Sequence, residues 1–311
     1  MRQFKKIGIF FSALVACCFS SCSESPALKI VYEKDDDMIN NYSLLAVNPD
    51  APWEGVSKPT LNTVGADALI NWILSEEGLQ TVSNYGYKEF KEFLFYLKKD
   101  HPSSSEEIPS ATETTKRIRM STTTSVNDSG LLGYALPKFE EKYGYEIEVY
   151  SAGTGKAISN AKAGNADLLL VHSKSQEEIF INDGFARKVE GFKSERLTFM
   201  YNYFVLIGPK DDPAKCANAP SVKEAFKKIS DGQFKFVSRG DNSGTHTKEL
   251  SLWDESLGIT AESSSFEKYP WYISANQGMG TCLTLAKEQK AYLLSDKATY
   301  LTCAKNNFVV E

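Results

Sequence analysis

Histidine is scarce in this chain of 311 residues: only His101, His172 and His246 occur. No two of them stand at the H-E-x-x-H spacing that turns two imidazoles onto one helical face, so a zinc hydrolase has no ligand set and no metal is expected. Cysteine is also sparse, with six residues and no C-x-x-C pair. An excess of positive charge is missing too. The formal net charge of -5 removes the long-range attraction that draws proteins to nucleic acid or to an anionic membrane surface. Any anion bound here must be held by local donors. Past the first 22 residues no segment is apolar enough to cross a bilayer.

What is present begins with a leader. Arg2, Lys5 and Lys6 precede an apolar run over residues 7–19, followed by small residues and Cys22. This is the layout of a secretory signal peptide, and the run is too short to span a membrane comfortably. Phe19-Ser20-Ser21-Cys22 resembles a bacterial lipobox, whose cysteine becomes the lipidated first residue of the mature protein. Residues 1–22 are therefore read as a lipoprotein signal peptide with Cys22 as the lipid attachment, which places the protein outside the cytoplasm on a bacterial membrane. Leu14-Val15-Ala16-Cys17 fits the strict consensus better but leaves a shorter apolar core, so Cys17 stays as the alternative. Cys216, Cys282 and Cys303 remain; three cannot all pair, so buried thiols are expected, with one disulfide open.

Residues 98–116 read KKDHPSSSEEIPSATETTK, rich in Ser, Thr, Glu and Pro and nearly free of apolar side chains. Such a segment cannot bury enough surface to fold alone and reads as a linker. Before it, LKIVY and YSLLAVNP look like short strands, and residues 66–85 repeat apolar side chains at helical spacing. After it, strands and helices alternate: RIRMSTTT, EIEVYSAG, DLLLVHS, FMYNYFVLIG and FKFVSRG as strands, with helices over 129–143, 154–164, 222–229 and 245–257. This is the rhythm of an α/β fold with parallel sheets covered by helices, where ligands sit beyond the carboxyl ends of the strands.

Three strand-to-helix junctions carry small hydroxyl residues and glycine: STTTSVNDSG, SAGTG and SRGDNSGTH. Each places backbone N–H groups and hydroxyls at a helix start, where an anion is favoured. Ser and Thr are also ordinary N-caps, so one such junction says little. Three in one cleft say more.

At these junctions the sequence resembles the tungstate-binding proteins of bacterial ABC importers, relatives of the molybdate- and phosphate-binding proteins. The matching stretches are TTTSVNDSGLL, SAGTGKA, NADLLLVHS, FMYNYFVLIGP, FVSRGDNSGTHTKELSLW, WYISANQGMGTCLTLA and AYLLSDKATYL, over residues 122–301. The resemblance implies the two-lobed type II periplasmic-binding fold, each lobe a mostly parallel sheet flanked by helices, joined by two crossover strands. It implies a monomer that hands its oxyanion to an importer permease and uses no cofactor. Thr123, Thr124 and Ser125 should line the cleft from the first lobe, with Thr154 at the next helix start between Gly153 and Gly155. Arg239 should supply the charge from the second lobe, with Ser243, Gly244 and Thr245 as donors; Gly278 and Met279 of QGMG would add backbone N–H groups. The block resembling LKIVYEKDDDMINNYSLLAVNP closes the first lobe at the C-terminus in the family, but here it comes first. Circular permutation accounts for this order. Residues 28–96 become the permuted block of lobe 1, 97–117 the linker, 118–206 the rest of lobe 1, 207–293 lobe 2, and 294–311 the return to lobe 1.

Other readings compete at the same residues. Ala152-Gly153-Thr154-Gly155-Lys156 looks like the end of a phosphate-binding loop, but Tyr150 stands where its first glycine belongs and Ala157 where Ser or Thr belongs. His246 near Ser243 could activate a nucleophile in a phosphate-ester hydrolase, against a structural role for that histidine. Arg239-Gly240-Asp241 suggests an adhesin only as a common tripeptide. The expectation is a binding protein without catalytic residues, for tungstate or alternatively for molybdate or phosphate.

Overall fold

The computed structural model describes residues 28–305 apart from Glu54 and Val56, so Cys17 and Cys22 lie outside the described residues. In chain order its elements are β1 (Leu28–Tyr32), β2 (Ile39–Val47), α1 (Thr63–Ile73), α2 (Glu76–Asn84), α3 (Tyr87–Phe90), β3 (Tyr96–Leu97), β4 (Arg117–Thr123), α4 (Thr124–Asp128), α5 (Leu131–Tyr143), β5 (Glu146–Ala152) and α6 (Thr154–Lys162). There follow β6 (Leu168–Val171), α7 (Lys174–Asn182), β7 (Ala186–Arg187), β8 (Leu197–Pro209), α8 (Val222–Asp231), β9 (Phe236–Ser238), α9 (Gly244–Leu250), β10 (Tyr272–Ser274), α10 (Met279–Gln289), β11 (Leu293–Asp296) and α11 (Lys297–Lys305).

The unbroken apolar run of β6 exists because both of its faces are covered. Leu168 and Leu170 enter one core with Trp72, Phe139 and Phe199, while Leu169 and Val171 enter another with Ala157 and Phe180. Successive side chains of a strand point to opposite faces, and a strand buried on both reads as continuously hydrophobic. The same holds on β8, where Phe204 and Leu206 share a core with Phe226 and Trp253, and Val205 and Ile207 share another with Leu283 and Met279.

Strand β8 is the spine of the molecule. Its first half pairs antiparallel with β2 and β3, and β2 continues through β6 to the parallel strands β4 and β5. Its second half pairs antiparallel with β1 and with β11; a parallel bridge between Phe236 and Tyr292 then joins β9, and β9 pairs with β10. Each lobe thus has a parallel core made mixed by the crossover strands: β8 runs outward and β1–β2 runs back. Because Leu28 lies in the core with Ile207 and Leu283, and Val31 in that with Phe204, β1 belongs to the second lobe's sheet. The first-lobe part of the N-terminal block begins within β2. The Tyr300 hydroxyl donates to the Leu28 carbonyl at 3.2 Å, so the last helix lies beside the first strand.

Three segments differ from expectation. The helical pattern over 66–85 is broken at Ser75, whose hydroxyl donates to the Trp72 carbonyl and accepts from Gly78 N–H, capping α2. The corner is tight: a Cβ on Gly78 would lie 2.0 Å from the Trp72 oxygen. The helix expected over 245–257 stops at Leu250, and Asp254 caps a separate turn at Glu255–Leu257. The polar stretch 98–116 has no helix, yet it is fastened down. Ser104 N–H donates to Leu74 O at the end of α1, and Ala111 N–H to Tyr143 O at the end of α5. These are carbonyls that a helix terminus leaves without intrahelical partners, so a segment poor in apolar side chains still finds a fixed path, with Ile108 and Ala111 resting on the first-lobe core.

Candidate functional site

Four strand-to-helix turns meet between the lobes. On the first lobe β4 leads into α4, where the Thr123 and Ser125 hydroxyls lie 3.1 Å apart and Ser125 Oγ is 3.0 Å from His172 Nε2. The β5–α6 turn places Gly153 at the N-cap and buried Thr154 at the first helical position. On the second lobe Arg239 follows β9 and is only 3% exposed. Its Nη2 donates to Asp241 Oδ2 at 2.5 Å and across the cleft to Thr124 Oγ1 at 3.3 Å. Asp241 Oδ1 accepts from Ser243 N–H, and Ser243 Oγ caps α9 by accepting from His246 N–H. Gly278 is the N-cap of α10, tied to Arg239 by the Gln277 N–H donating to the Arg239 carbonyl. The Met279 side chain enters the second-lobe core, leaving its backbone N–H as its contribution.

The arrangement is rich in donors. The starts of α4, α6 and α10 have no side-chain cap, so their first-turn N–H groups keep their hydrogen-bonding capacity and the positive end of each helix dipole. Arg239 Nε and the hydroxyls of Thr154 and Thr245 are buried without a hydrogen-bond partner among the described residues. Leaving a buried polar group unpaired costs about 1–3 kcal/mol, more when it is charged. Three such groups in one cleft leave donor capacity for a ligand that brings acceptors. No cluster of His, Cys, Asp and Glu fit for a metal ion occurs among the described residues.

Two further residues of the cleft, His172 and Asp241, are not among the donors expected from the sequence. His172 ends the segment after β6, where ligands of α/β sheets gather; its position beyond that strand was the available signal. Burial first, and the Arg239 charge second, push its pKa down to about 3, so it is neutral. It also sets the closeness of the lobes. A Cβ on Gly244 would lie 2.4 Å from His172 Cε1, whereas one on Gly153 would meet Ser243 at an ordinary 3.6 Å. The glycine that close approach requires is thus Gly244. Asp241 is the second: it holds Arg239 and Ser243 N–H together, so the guanidinium charge is partly balanced before any anion arrives.

The catalytic alternatives lose their geometry here. His246 Nδ1 accepts from Asn242 N–H, and Ser243 Oγ meets the His246 backbone rather than its ring. Ser243 and His246 therefore do not pair through their side chains. Arg239, the first residue of the adhesin-like tripeptide, is buried, and Lys156 points from α6 into solvent. Cys216, Cys282 and Cys303 are free buried thiols. Tyr292 lies away from the cleft, its hydroxyl donating to Asp212 Oδ1.

Behind Arg239, Glu249 is buried and accepts from Trp253 Nε1 and Tyr272 Oη. Burial raises its pKa from 4.5 to about 7. A carboxyl with a raised folded-state pKa stabilises the fold fully below its unfolded value, and that contribution is lost as pH rises through the folded one. Stability should therefore fall by about 3 kcal/mol between pH 4.5 and 7 from this group. Glu249→Gln should remove that part of the slope, so urea denaturation at pH 5 and pH 8 should show the variant gaining on wild type at the higher pH. An unchanged difference between the two pH values would mean Glu249 is already ionised in the fold.

A family model described as PBP superfamily domain matches residues 109–309. The chain is 48% identical over 187 residues to the tungstate-binding protein TupA of Peptoclostridium acidaminophilum, covering 60% of each chain. It is 40% identical over 192 residues to a putative ABC transporter anion-binding protein of Haloferax volcanii, covering 62% of this chain and 52% of the relative. The match thus spans between half and three fifths of the length of these curated relatives. The solved structure of the tungstate ABC transporter from Geobacter sulfurreducens is similar at 43% identity and a TM-score of 0.51, over 60% of this chain and 75% of that one. With the parallel-cored lobes, the two crossover strands and the donor-lined cleft between them, the chain belongs to the PBP superfamily.

Proposed function

We propose that this protein captures tungstate outside the cytoplasm and delivers it to the permease of an ABC importer. The observation that carries the reading is the set of buried donors without partners, Arg239 Nε, Thr154 Oγ1 and Thr245 Oγ1, contributed by both lobes of a closed cleft. A tetrahedral dianion supplies acceptors for all of them, and the names of the relatives point to tungstate among such ions. Molybdate has the same shape and charge and is the alternative within this class. Hydrogen phosphate carries a proton that needs an acceptor, and both Asp241 oxygens are already engaged. Titration calorimetry of the mature protein should show one-to-one tungstate binding, with sulfate and phosphate roughly 100-fold weaker, about 3 kcal/mol. Tighter binding of phosphate than of tungstate would move the protein to phosphate import.

The same reading covers the chain's attachment and order. Cys22 is the lipid anchor of a monomer, and residues 28–96 are the family's C-terminal block carried at the front and joined through 97–117. The contact between Tyr300 and Leu28 supports this, because the present ends of the fold need to be neighbours where the family's chain runs on from one to the other. A chain that begins at Arg117 and carries residues 28–96 after its present C-terminus should fold and bind tungstate as wild type does. Failure of that chain to fold while wild type folds would remove the permutation.

A further inference from the structure

A cavity of about 650 Å³ lies between the lobes on the far side of the His172–Gly244 contact, beside the crossover strands. Its wall carries Lys98, Lys174 and Arg196 from the first lobe and Lys248 from the second. Lys174 is paired with Glu178, and Arg196 with buried Glu177. Two cations are left over, one from each lobe. Among the described residues Lys98 Nζ donates only to the neutral amide oxygen of Asn41 and Lys248 makes no ion pair, with Asp35 and Asp37 the carboxylates near enough to act on it. These positive charges stand out in a chain of net charge -5.

His172 and Gly244, one residue from each lobe, approach each other closely, line this cavity and stand beside the donor-lined site, as part of the wall between the two. A partition of that kind exists only while the lobes are closed; when they separate, cavity and site become one space. We infer that the cavity is a vestibule in which Lys98 and Lys248 draw the oxyanion in before the lobes close behind it. The inference rests on the proposed function, since it names the route by which the same ligand reaches the same site. Charges beyond about 8 Å are screened at physiological ionic strength, so an approaching dianion responds in its last steps to these two lysines rather than to the overall negative charge. Focused fields of this kind raise association rates about tenfold or more, and salt removes the effect.

Stopped-flow tryptophan fluorescence with tungstate, on wild type and on Lys98→Gln/Lys248→Gln, tests this. At low ionic strength the double variant should associate roughly three- to tenfold more slowly with an unchanged dissociation rate, and the difference should vanish in about 0.5 M salt. Lys98→Glu/Lys248→Glu should associate more slowly still. An unchanged association rate would overturn the vestibule and leave the function standing. A change confined to dissociation would overturn it as well, making the lysines part of the closed-state contact. If wild type binds no tungstate, the proposed function fails and the vestibule falls with it.

Discussion

Arg239→Ala is expected to cost about 2 to 5 kcal/mol of tungstate affinity, the range for removing one partner of a buried charge pair. Arg239 is the sole guanidinium among the side chains assigned to the cleft, and it is 3% exposed. Taking a dianion out of water is costly unless its oxygens gain nearly complete donation, and one charge-assisted donor is worth roughly two neutral ones. The loss should exceed that of an isolated cation because Asp241 stays behind. With Arg239 gone, a carboxylate with an 18% exposed side chain faces the incoming anion without its partner. Arg239→Ala/Asp241→Ala should therefore recover part of the affinity. Arg239→Lys should fall between, since an ammonium cannot hold Asp241, reach Thr124 and present a planar edge to the anion together. Ser125→Ala should cost less, its backbone N–H remaining. Calorimetry with a melting control on each ligand-free variant measures this; an Arg239→Ala affinity within about twofold of wild type would mean that the anion does not touch the guanidinium.

The outline of this site was legible because its residues sit where helix starts meet strand ends, and such turns carry their own signature in hydroxyls and glycines. The junctions that hold Thr124, Thr154, Arg239 and Thr245 stood out on that basis, and the resemblance to tungstate-binding proteins is what assigned these residues to one cleft. His172 did not stand out, because a lone histidine after a buried strand looks like any satisfied core histidine until its neighbour across the cleft is known. Asp241 was hidden differently: its role depends on reaching back two residues to Arg239, a contact set by the left-handed turn at Gly240. In the fold, the strands covered on both faces were plain in LLLV and FVLIG. The place of β1 was not, since pairing with the second half of β8 rather than the first is a matter of register along a thirteen-residue strand. The fastening of 98–116 was likewise invisible, as its partners are backbone carbonyls at the ends of α1 and α5, which composition does not encode.

Gly244→Ala should uncouple binding from folding. Gly244 is not in the left-handed region of the backbone, so alanine is free of conformational strain there. A Cβ would nevertheless lie 2.4, 2.7 and 3.0 Å from His172 Cε1, Nδ1 and Nε2. The imidazole has little room to retreat: it is buried, its Nε2 is held by Ser125, and its ring packs 5.0 Å from that of Tyr42. Overpacking a fitted contact costs about 1–3 kcal/mol. Because Gly244 and His172 stand on different lobes, that cost applies to the closed state alone. The ligand-free variant should therefore melt within a degree or so of wild type, since a strain absent from the open form leaves its unfolding free energy unchanged. Tungstate should bind about 10- to 100-fold more weakly, and small-angle scattering should show a smaller contraction on binding. Gly244→Val, with more atoms to place in the same gap, should lose measurable affinity. Gly244→Ala/His172→Ala should close again, because the clash has lost its second partner, though without the ring that positions Ser125. If Gly244→Ala binds as tightly as wild type, the close approach of His172 and Gly244 does not belong to the ligand-bound form.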